Sequence, residues 1–387
     1  SDTFTRVSPH VAPLEDHVQA HPTLLLMLLH KLTGKEEYRE SAERGLAFIL
    51  ETQNPRGSWS HHWNLEKNIG EAAQSQYKNA GELNDDATQD QMKMMLAGWR
   101  MTGEIKYLAA FLRAADWIKS AFIDEKAKGW AQQYDEDNNP IPARHFEPPA
   151  ISLSEGVHSI PRVLMLAYRV TGDTEYLEPC YRWREWMLDN RVFTNDQKTE
   201  WGWHTYYDPA TGEAYRTVKG ERLPADPKAV SERSLTSLLK EIERAEEPRP
   251  APPSPEEHER VVTARVAAVD GTADGGIPKY PYLVEAFDWT AGTWLFSKDS
   301  PNGPSVAPHT PRLGLVAYDV MLRRQVAGQV SWDHPVRRMN ISEWASGWNH
   351  LVPPDEMTAR VSPDELARAR AYIEELRAGE GARTTGG

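Results

Sequence analysis

Three short acidic or polar pairs recur at matched positions along this chain. Asp16-His17, Asp85-Asp86 and Ser154-Glu155 each run ahead of a Thr-Gly pair, with His17, Asp86 and Glu155 all 17 residues before the glycine. Placed in register, Asp16, Asp85, Asp86 and Glu155 converge on one end of whatever structure the repeats build. Like charges held that close must take up protons or share a cation. Carboxylate oxygens are hard donors suited to calcium, magnesium or manganese rather than zinc, so the four acids form a candidate divalent-cation site. Taken singly, each acid reads equally well as a helix cap worth about 1 kcal/mol, or as a first-turn charge favoured by the helix dipole. The common register of all three copies favours a shared site.

The elements that must position these acids follow from the same period. Lys31-Leu32-Thr33-Gly34, Arg100-Met101-Thr102-Gly103 and Arg169-Val170-Thr171-Gly172 are each followed four residues after the glycine by Tyr38, Tyr107 or Tyr176, and successive glycines lie 69 residues apart. Each copy reads as a helix pair plus a long loop. Residues 22–32, 88–101 and 157–170 are apolar with few charges and are expected as enclosed inner helices. Each closes at a glycine free to take the left-handed conformation. Residues 36–52, 104–121 and 173–189 mix charge with apolar stripes such as Tyr107, Leu108, Phe111, Ala115 and Ile118, the pattern of outer helices with one buried face. The expected fold is all-α: a partial (α/α) toroid or barrel of three helical hairpins with long loops on one face, plus an irregular C-terminal part.

The loops repeat as well. Gly57-Ser58-Trp59, Gly129-Trp130 and Gly202-Trp203 follow the outer helices, and Trp130 to Trp203 and Tyr134 to Tyr207 are both 73 residues apart. These aromatic loops are expected to gather on one face and form a binding surface. Of 14 tryptophans, Trp99, Trp117, Trp183 and Trp186 sit at helical positions and are expected in the core. Trp59, Trp63, Trp130, Trp201 and Trp203 lie in loops, where flat aromatic faces can stack on sugar rings.

Composition excludes several classes. With 387 residues the chain can bury a large core. A net charge of −13 without a basic stripe disfavours nucleic acid and anionic membranes, and no apolar run reaches membrane-spanning length. The lone Cys180 excludes intrachain disulfides and thiolate metal clusters. Phosphate-loop and dinucleotide fingerprints are absent. No signal peptide is visible, and the opening Ser1-Asp2-Thr3 is read as a mature or trimmed form.

The second half is less regular. The toroid is expected over residues 1–222, followed over 223–262 by a short helix at 229–245 and an exposed Pro/Glu-rich segment at 246–257. Residues 263–387, with an aromatic stretch from Gly275 to Trp294, helices at Leu313–Arg324 and Pro363–Leu376 and a disordered tail from Gly379, are expected to pack on the toroid within the same domain.

The segment between copies two and three is the most distinctive. It reads Gly129-Trp130-Ala131-Gln132-Gln133-Tyr134-Asp135, then Pro142-Ala143-Arg144-His145-Phe146-Glu147-Pro148-Pro149, then Ser152-Leu153-Ser154-Glu155-Gly156. This resembles the family-10 pectate lyases, whose pattern is similar to Trp-Cys-Ala-Gln-His-Asp, Ala-Arg-Ala-Tyr/Phe-Glu-x-Pro-Ser and Ser-Glu-Ser-Val-Gly. Asn84-Asp85-Asp86-Ala87 resembles that family's Asn-Asp-Asn/Asp-Ala, and Trp203-His204-Thr205-Tyr206-Tyr207-Asp208 its Trp-Ala-Arg-Phe-Tyr-Asp. The resemblance covers about residues 16–220, in order and with matching spacing.

The resemblance implies a calcium-assisted β-elimination that cuts a uronic-acid polymer, in a monomeric, secreted or periplasmic enzyme with an anionic polysaccharide as its partner. On this mapping Arg144 falls on the family's catalytic arginine, proposed there as the base, and Asp85 on a metal-binding aspartate; Asp16 is a second acidic contact through the internal repeat. Guanidinium normally stays protonated, so Arg144 either loses its proton under nearby cations or only clamps a carboxylate, with His145, His204 and Tyr207 as rival bases. Arg144 also reads as an ordinary ion pair with Glu147 or Glu155, and His61, His62 and His145 as ordinary polar loop residues. Trp59, His61, Trp130, Trp203, His204, Glu147 and Lys219 are the substrate-contact candidates. Thr205 stands where the family motif has arginine, and Lys219 replaces another; neither grips a carboxylate bidentately, which leaves uronate or sulfated polymers other than plain polygalacturonate open. Two alternatives stand beside the lyase: a glycoside hydrolase using a carboxylate pair from Asp85, Asp86, Glu147 and Glu155, and an inactive carbohydrate-binding protein.

Overall fold

The structure, a computed structural model, describes residues 10–72, 76–142, 149–154, 156–218, 221–226, 230, 235–248, 287–288, 293–294 and 354–384. Arg144, His145, Glu147, Glu155 and Lys219 lie outside the described residues, as do the helix expected at 313–324, the proline-rich segment beyond 248 and most of the aromatic stretch from Gly275. Contacts divide the chain into two units, one of residues 1–19, 46–248 and 358–387, the other of residues 20–45 and 249–357.

The expected hairpins are present, and helices dominate the described residues, consistent with the all-α, partial (α/α) toroid expected from the sequence. Helix α1 (Ala20–Thr33) and the first turns of α2 (Glu36–Glu51) belong to the second unit. They cross closely, since a Cβ on Gly45 would meet Thr23 Oγ1 at 2.4 Å. The first unit holds the end of α2, the hairpin of α3 (Ala87–Thr102) and α4 (Ile105–Ser120), and that of α5 (Ile160–Thr171) and α6 (Glu178–Asp189). It also holds α7 (Thr236–Glu243), shorter than the helix expected from residue 229, and a C-terminal helix, Pro363–Thr384. Gly103 and Gly172 close α3 and α5 in the left-handed region, at φ 71° and 81°. Their N–H groups return to Trp99 and Tyr168 carbonyls at 2.7 and 2.6 Å.

Inner helix α3 is enclosed by Met92, Met94, Met95, Leu96, Ala97 and Trp99, all buried. Outer helix α4 is buried on more than the single face its pattern suggested: Tyr107–Leu112, Ala114, Ala115, Trp117 and Ile118 are covered. The reason is the C-terminal helix, which packs on α4 through buried Ala369 and Ile373. Arg370 on it pairs with Asp116, and Tyr176 O–H donates to the same carboxylate at 2.6 Å. The helix continues through Gly379 to Thr384 despite glycines at 379 and 381, where composition alone suggested a disordered tail.

Beside two-stranded pairs at Ile123–Asp124 with Lys128–Gly129 and Val192–Phe193 with Trp201–Gly202, the long loops form three small antiparallel sheets built alike. A strand entering a copy pairs with a strand leaving it, which pairs with a third. The strands are Val11–Pro13, His62–Asn64 and Ile69–Glu71 in the first sheet, and Gly81–Glu82, Gln133–Tyr134 and Pro140–Ile141 in the second. The third uses Ile151–Ser152, Tyr206–Tyr207 and Ala214–Val218, extended by Glu221–Pro224.

Docking of the C-terminal helix yields a test. Arg370→Ala removes the pair with Asp116, a partly exposed ion pair bridged by Tyr176, and is expected to cost about 1 kcal/mol of unfolding free energy in urea. An unchanged midpoint would show that Ala369 and Ile373 hold the helix alone.

Candidate functional site

Each sheet delivers its entering strand into the same tight turn ahead of an inner helix. The N–H groups of Leu14, Leu83 and Leu153 donate to the carbonyls of His61, Gln132 and Thr205 at 3.0, 2.8 and 2.9 Å. These equivalent bonds set the register. Asp16-His17 and Asp85-Asp86 coincide, and all four residues are left-handed, with φ of 53°, 62°, 48° and 58°. Gly156, at φ 90°, takes the place of His17 and Asp86, so the third copy is shifted by one residue and residue 155, rather than 154, stands in register with Asp85. Two consecutive non-glycine residues in this region store on the order of 1–3 kcal/mol each and persist only where their surroundings over-determine them.

Those surroundings come from the first turns of α3. Thr88, Gln89, Asp90 and Gln91 are polar yet buried. Gln91 Nε2 donates to the Leu14 carbonyl at 2.9 Å, and Gln89 Nε2 to the carbonyls of Leu83 at 2.8 Å and Gly156 at 3.2 Å, so two side chains hold all three entrance turns. Asp90 pairs with His17, and 73 residues separate them. The same spacing joins Asp86 to Ser159, whose Oγ donates to its carboxylate at 3.0 Å. Asp86 is therefore not a cap: no side-chain cap bond forms at the start of α3. Asp86 turns toward Ser159, and it is not among the acids that share the cluster described next.

What this framework brings together is Glu15, Asp16 and Asp85. Each offers a carboxylate oxygen, and the three oxygens lie within 4.8 Å of one another, with Asp16 exposed and the other two half-buried. The Asp16 N–H donates to the Asp85 carbonyl at 3.2 Å. Asn84, fully buried, donates from Nδ2 to Asp85 Oδ2 at 2.9 Å and accepts from Gln132 Nε2 at 3.3 Å. Beneath the cluster lies Glu82, 1 % exposed, which accepts from Gln133 Nε2 and, at Oε1, from the Asn84 N–H at 3.2 Å. His61 Nδ1 sits 2.6 Å from Glu15 Oε2 and 3.7 Å from Glu82 Oε2. Burial opposes its charge, but the two carboxylates prevail and raise the imidazole to about 10. Burial in turn raises Glu82, against the pull of His61.

Sequence reading missed Glu15 and Glu82. The signal was present: Glu15 is the neighbour of Asp16 in the direction where Asn84 neighbours Asp85, and an acid inside the strand Gly81–Glu82 demands a buried partner.

The loop aromatics occupy the scaffold. Trp59, Trp130 and Trp203 are 0, 1 and 0 % exposed. Each indole N–H donates to a carbonyl in the last turn of the preceding outer helix: Ile49 at 2.8 Å, Ile118 at 2.9 Å and Met187 at 2.7 Å. They anchor loops and present no stacking face to a sugar, contrary to the expected subsites; Trp63 is buried in the first sheet as well. Tyr207, considered as a base, is also structural. Its buried O–H accepts the His204 N–H at 2.9 Å, as Tyr134 accepts that of Ala131 at 2.7 Å, and burial pushes the phenol up to about 12. His204 is buried beside it. Trp201, half-buried against Phe193, keeps an accessible edge.

The anchoring role has a direct check. Trp130→Phe strands the Ile118 carbonyl in the core and is expected to cost about 1–3 kcal/mol of stability, with the KM of any substrate unchanged. Unaltered stability with a raised KM would restore Trp130 to the binding surface.

Comparison with other proteins bears on the same segment. Comparison with curated proteins gives no match. Among solved structures, a family 10 polysaccharide lyase from Cellvibrio cellulosa aligns at 16 % identity and TM-score 0.47, covering 63 % of this chain and 80 % of its own. A D189A mutant of that lyase in complex with trigalacturonic acid aligns at 16 % and 0.46, covering 57 % and 78 %. A cellobiose 2-epimerase from Spirochaeta thermophila aligns at 12 % and 0.38, covering 89 % and 75 %. Among the described residues, no helix is long and apolar enough to cross a membrane. Residues 20–173 match the pectic acid lyase family model, and over that stretch, which contains the Asn84-Asp85-Asp86 turn and the Trp130–Tyr134 segment, the chain is pectate-lyase-like.

Proposed function

We propose that this protein is a polysaccharide lyase that cleaves a uronic-acid-containing, pectate-like polymer by metal-assisted β-elimination. The observation that carries the reading is the meeting of Glu15, Asp16 and Asp85 within 4.8 Å, with Asp85 inside the stretch, residues 20–173, that matches the pectic acid lyase family model.

The chemistry explains why such a cluster is useful. The proton removed in β-elimination lies α to a carboxylate, and the carbanion-like state becomes accessible only when that carboxylate's charge is offset. The donor set fits a divalent ion: three carboxylates without thiolate or imidazole suit calcium or another hard cation. Glu15, Asp16 and Asp85 would hold it, and when bound it would neutralise the substrate carboxylate as a Lewis acid. Asn84 and Gln132 hold Asp85 in place for this task. Arg144, matched to the family's catalytic arginine, clamps the same carboxylate or, if it loses its proton, takes the α-proton; His145 is its rival as base. Tyr207 and His204 are not assigned to the chemistry, because both are buried in the third sheet. A monomeric enzyme working in the periplasm or outside the cell accompanies this reading.

Incubation with a panel of uronate polymers tests it. The expected product is an ultraviolet-absorbing unsaturated uronate whose formation stops with a chelator and returns with calcium. Reducing ends without that absorbance would mean hydrolysis, and no product with retained affinity would mean a binding protein. Asp85→Asn is expected to lower kcat by at least about 100-fold, measured by the same absorbance. Asp86→Asn, whose carboxylate faces Ser159 instead, is expected to cost less than about 10-fold on that account.

A further inference from the structure

Two consecutive glutamines leave the second sheet toward the acidic cluster by separate routes. Gln132 reaches Asp85 through Asn84. Gln133 reaches Glu82, whose carboxylate faces His61, which in turn contacts Glu15. Both routes end on acids that converge within 4.8 Å, and they are joined where the Asn84 N–H donates to Glu82 Oε1.

We infer that His61 and Glu82 are positioning residues: Glu82, anchored by Gln133, orients the His61 ring, and His61 holds Glu15 against Asp16 and Asp85 so that the three acids take one cation together. This rests on the metal-assisted reading above and deepens it. His61 thus acts from behind the cluster rather than as a contact to sugar. A carboxylate held in a close ion pair by a half-buried group loses less freedom when it binds a metal, and removal of such outer partners weakens binding by about 10–100-fold. The arrangement also explains why Glu82 is retained in a fully buried strand. An isolated buried acid is costly, and here its partners are Gln133, the Asn84 backbone and His61. Among the described residues no counterpart stands behind the third copy's turn, where Thr205 occupies the position that His61 and Gln132 hold in the first two.

Calcium titration calorimetry on the metal-free full chain tests the inference, with thermal unfolding of each metal-free variant as a parallel readout. His61→Leu is expected to weaken calcium binding by 10-fold or more, and His61→Gln, which keeps an N–H donor, to recover a substantial part of the loss. Glu82→Gln, close in shape and free of charge, is expected to weaken binding at least threefold, and it carries the test if His61→Leu does not fold. Trp203→Phe serves as control: it lowers the unfolding temperature and leaves calcium affinity unchanged, which separates positioning from general loosening. Wild-type affinity in both His61→Leu and Glu82→Gln overturns this inference alone. Absence of calcium binding by the wild-type chain overturns the metal-assisted reading and this inference with it.

Discussion

Crowding of negative charge is the constraint around which the entrance turns are built. Glu15, Asp16, Glu82 and Asp85 converge there, with His61 facing Glu15 and Glu82, Asn84 donating to Asp85 and Gln133 to Glu82. Such a cluster would disperse on flexible loops. It persists because the backbone carrying Asp16 and Asp85 is fixed twice over. The turns are locked in the left-handed region, and the buried glutamines of α3 hold their carbonyls from inside the helical core. Strain in the turns is offset by these hydrogen bonds, which form in a dry interior where they are strong.

The three copies divide this labour in an instructive way. Residues that recur in every copy build the scaffold: a tryptophan after each outer helix bonded to that helix's last turn, and a leucine N–H closing each sheet onto its turn. Residues that differ between copies set the polar surroundings of each turn. His61, Gln132 and Thr205 occupy one equivalent position, where His61 faces Glu15 and Glu82 and Gln132 donates to Asn84. The second inter-copy link shows the same drift, with a His17–Asp90 ion pair in one junction and an Asp86–Ser159 hydrogen bond in the next. The first two turns place Asp16-His17 and Asp85-Asp86 in the left-handed region, where the third has Gly156.

Much of the fold was legible because it is periodic. Helix ends marked by Gly103 and Gly172, the enclosed pattern of α3 and the pairing of Asp16 with Asp85 all follow from a 69-residue period read against helix chemistry. What escaped was set by contacts that no local pattern records. The loops read as a shared binding face, yet each folds into a sheet, and Trp59, Trp130 and Trp203 are buried where their loop positions suggested sugar-stacking faces. Their identical placement in all three copies was itself the sign of a scaffold role. Helix α4 looked half-exposed because its cover arrives from a helix more than 240 residues later. Glu15 and Glu82, one and three residues before the conspicuous acids, carried a sequence signal that was overlooked, and the turn geometry shows both facing His61.

The central claim is that Glu15, Asp16 and Asp85 hold a single divalent cation. A crystal structure of the calcium-soaked protein addresses it most directly, with manganese as an anomalous scatterer to identify the ion. The account predicts one ion bridged by oxygens of all three side chains, at the roughly 2.3–2.6 Å usual for calcium. Acids that instead remain apart from any ion, or that pair with the Arg144 guanidinium when calcium is in excess, would contradict it.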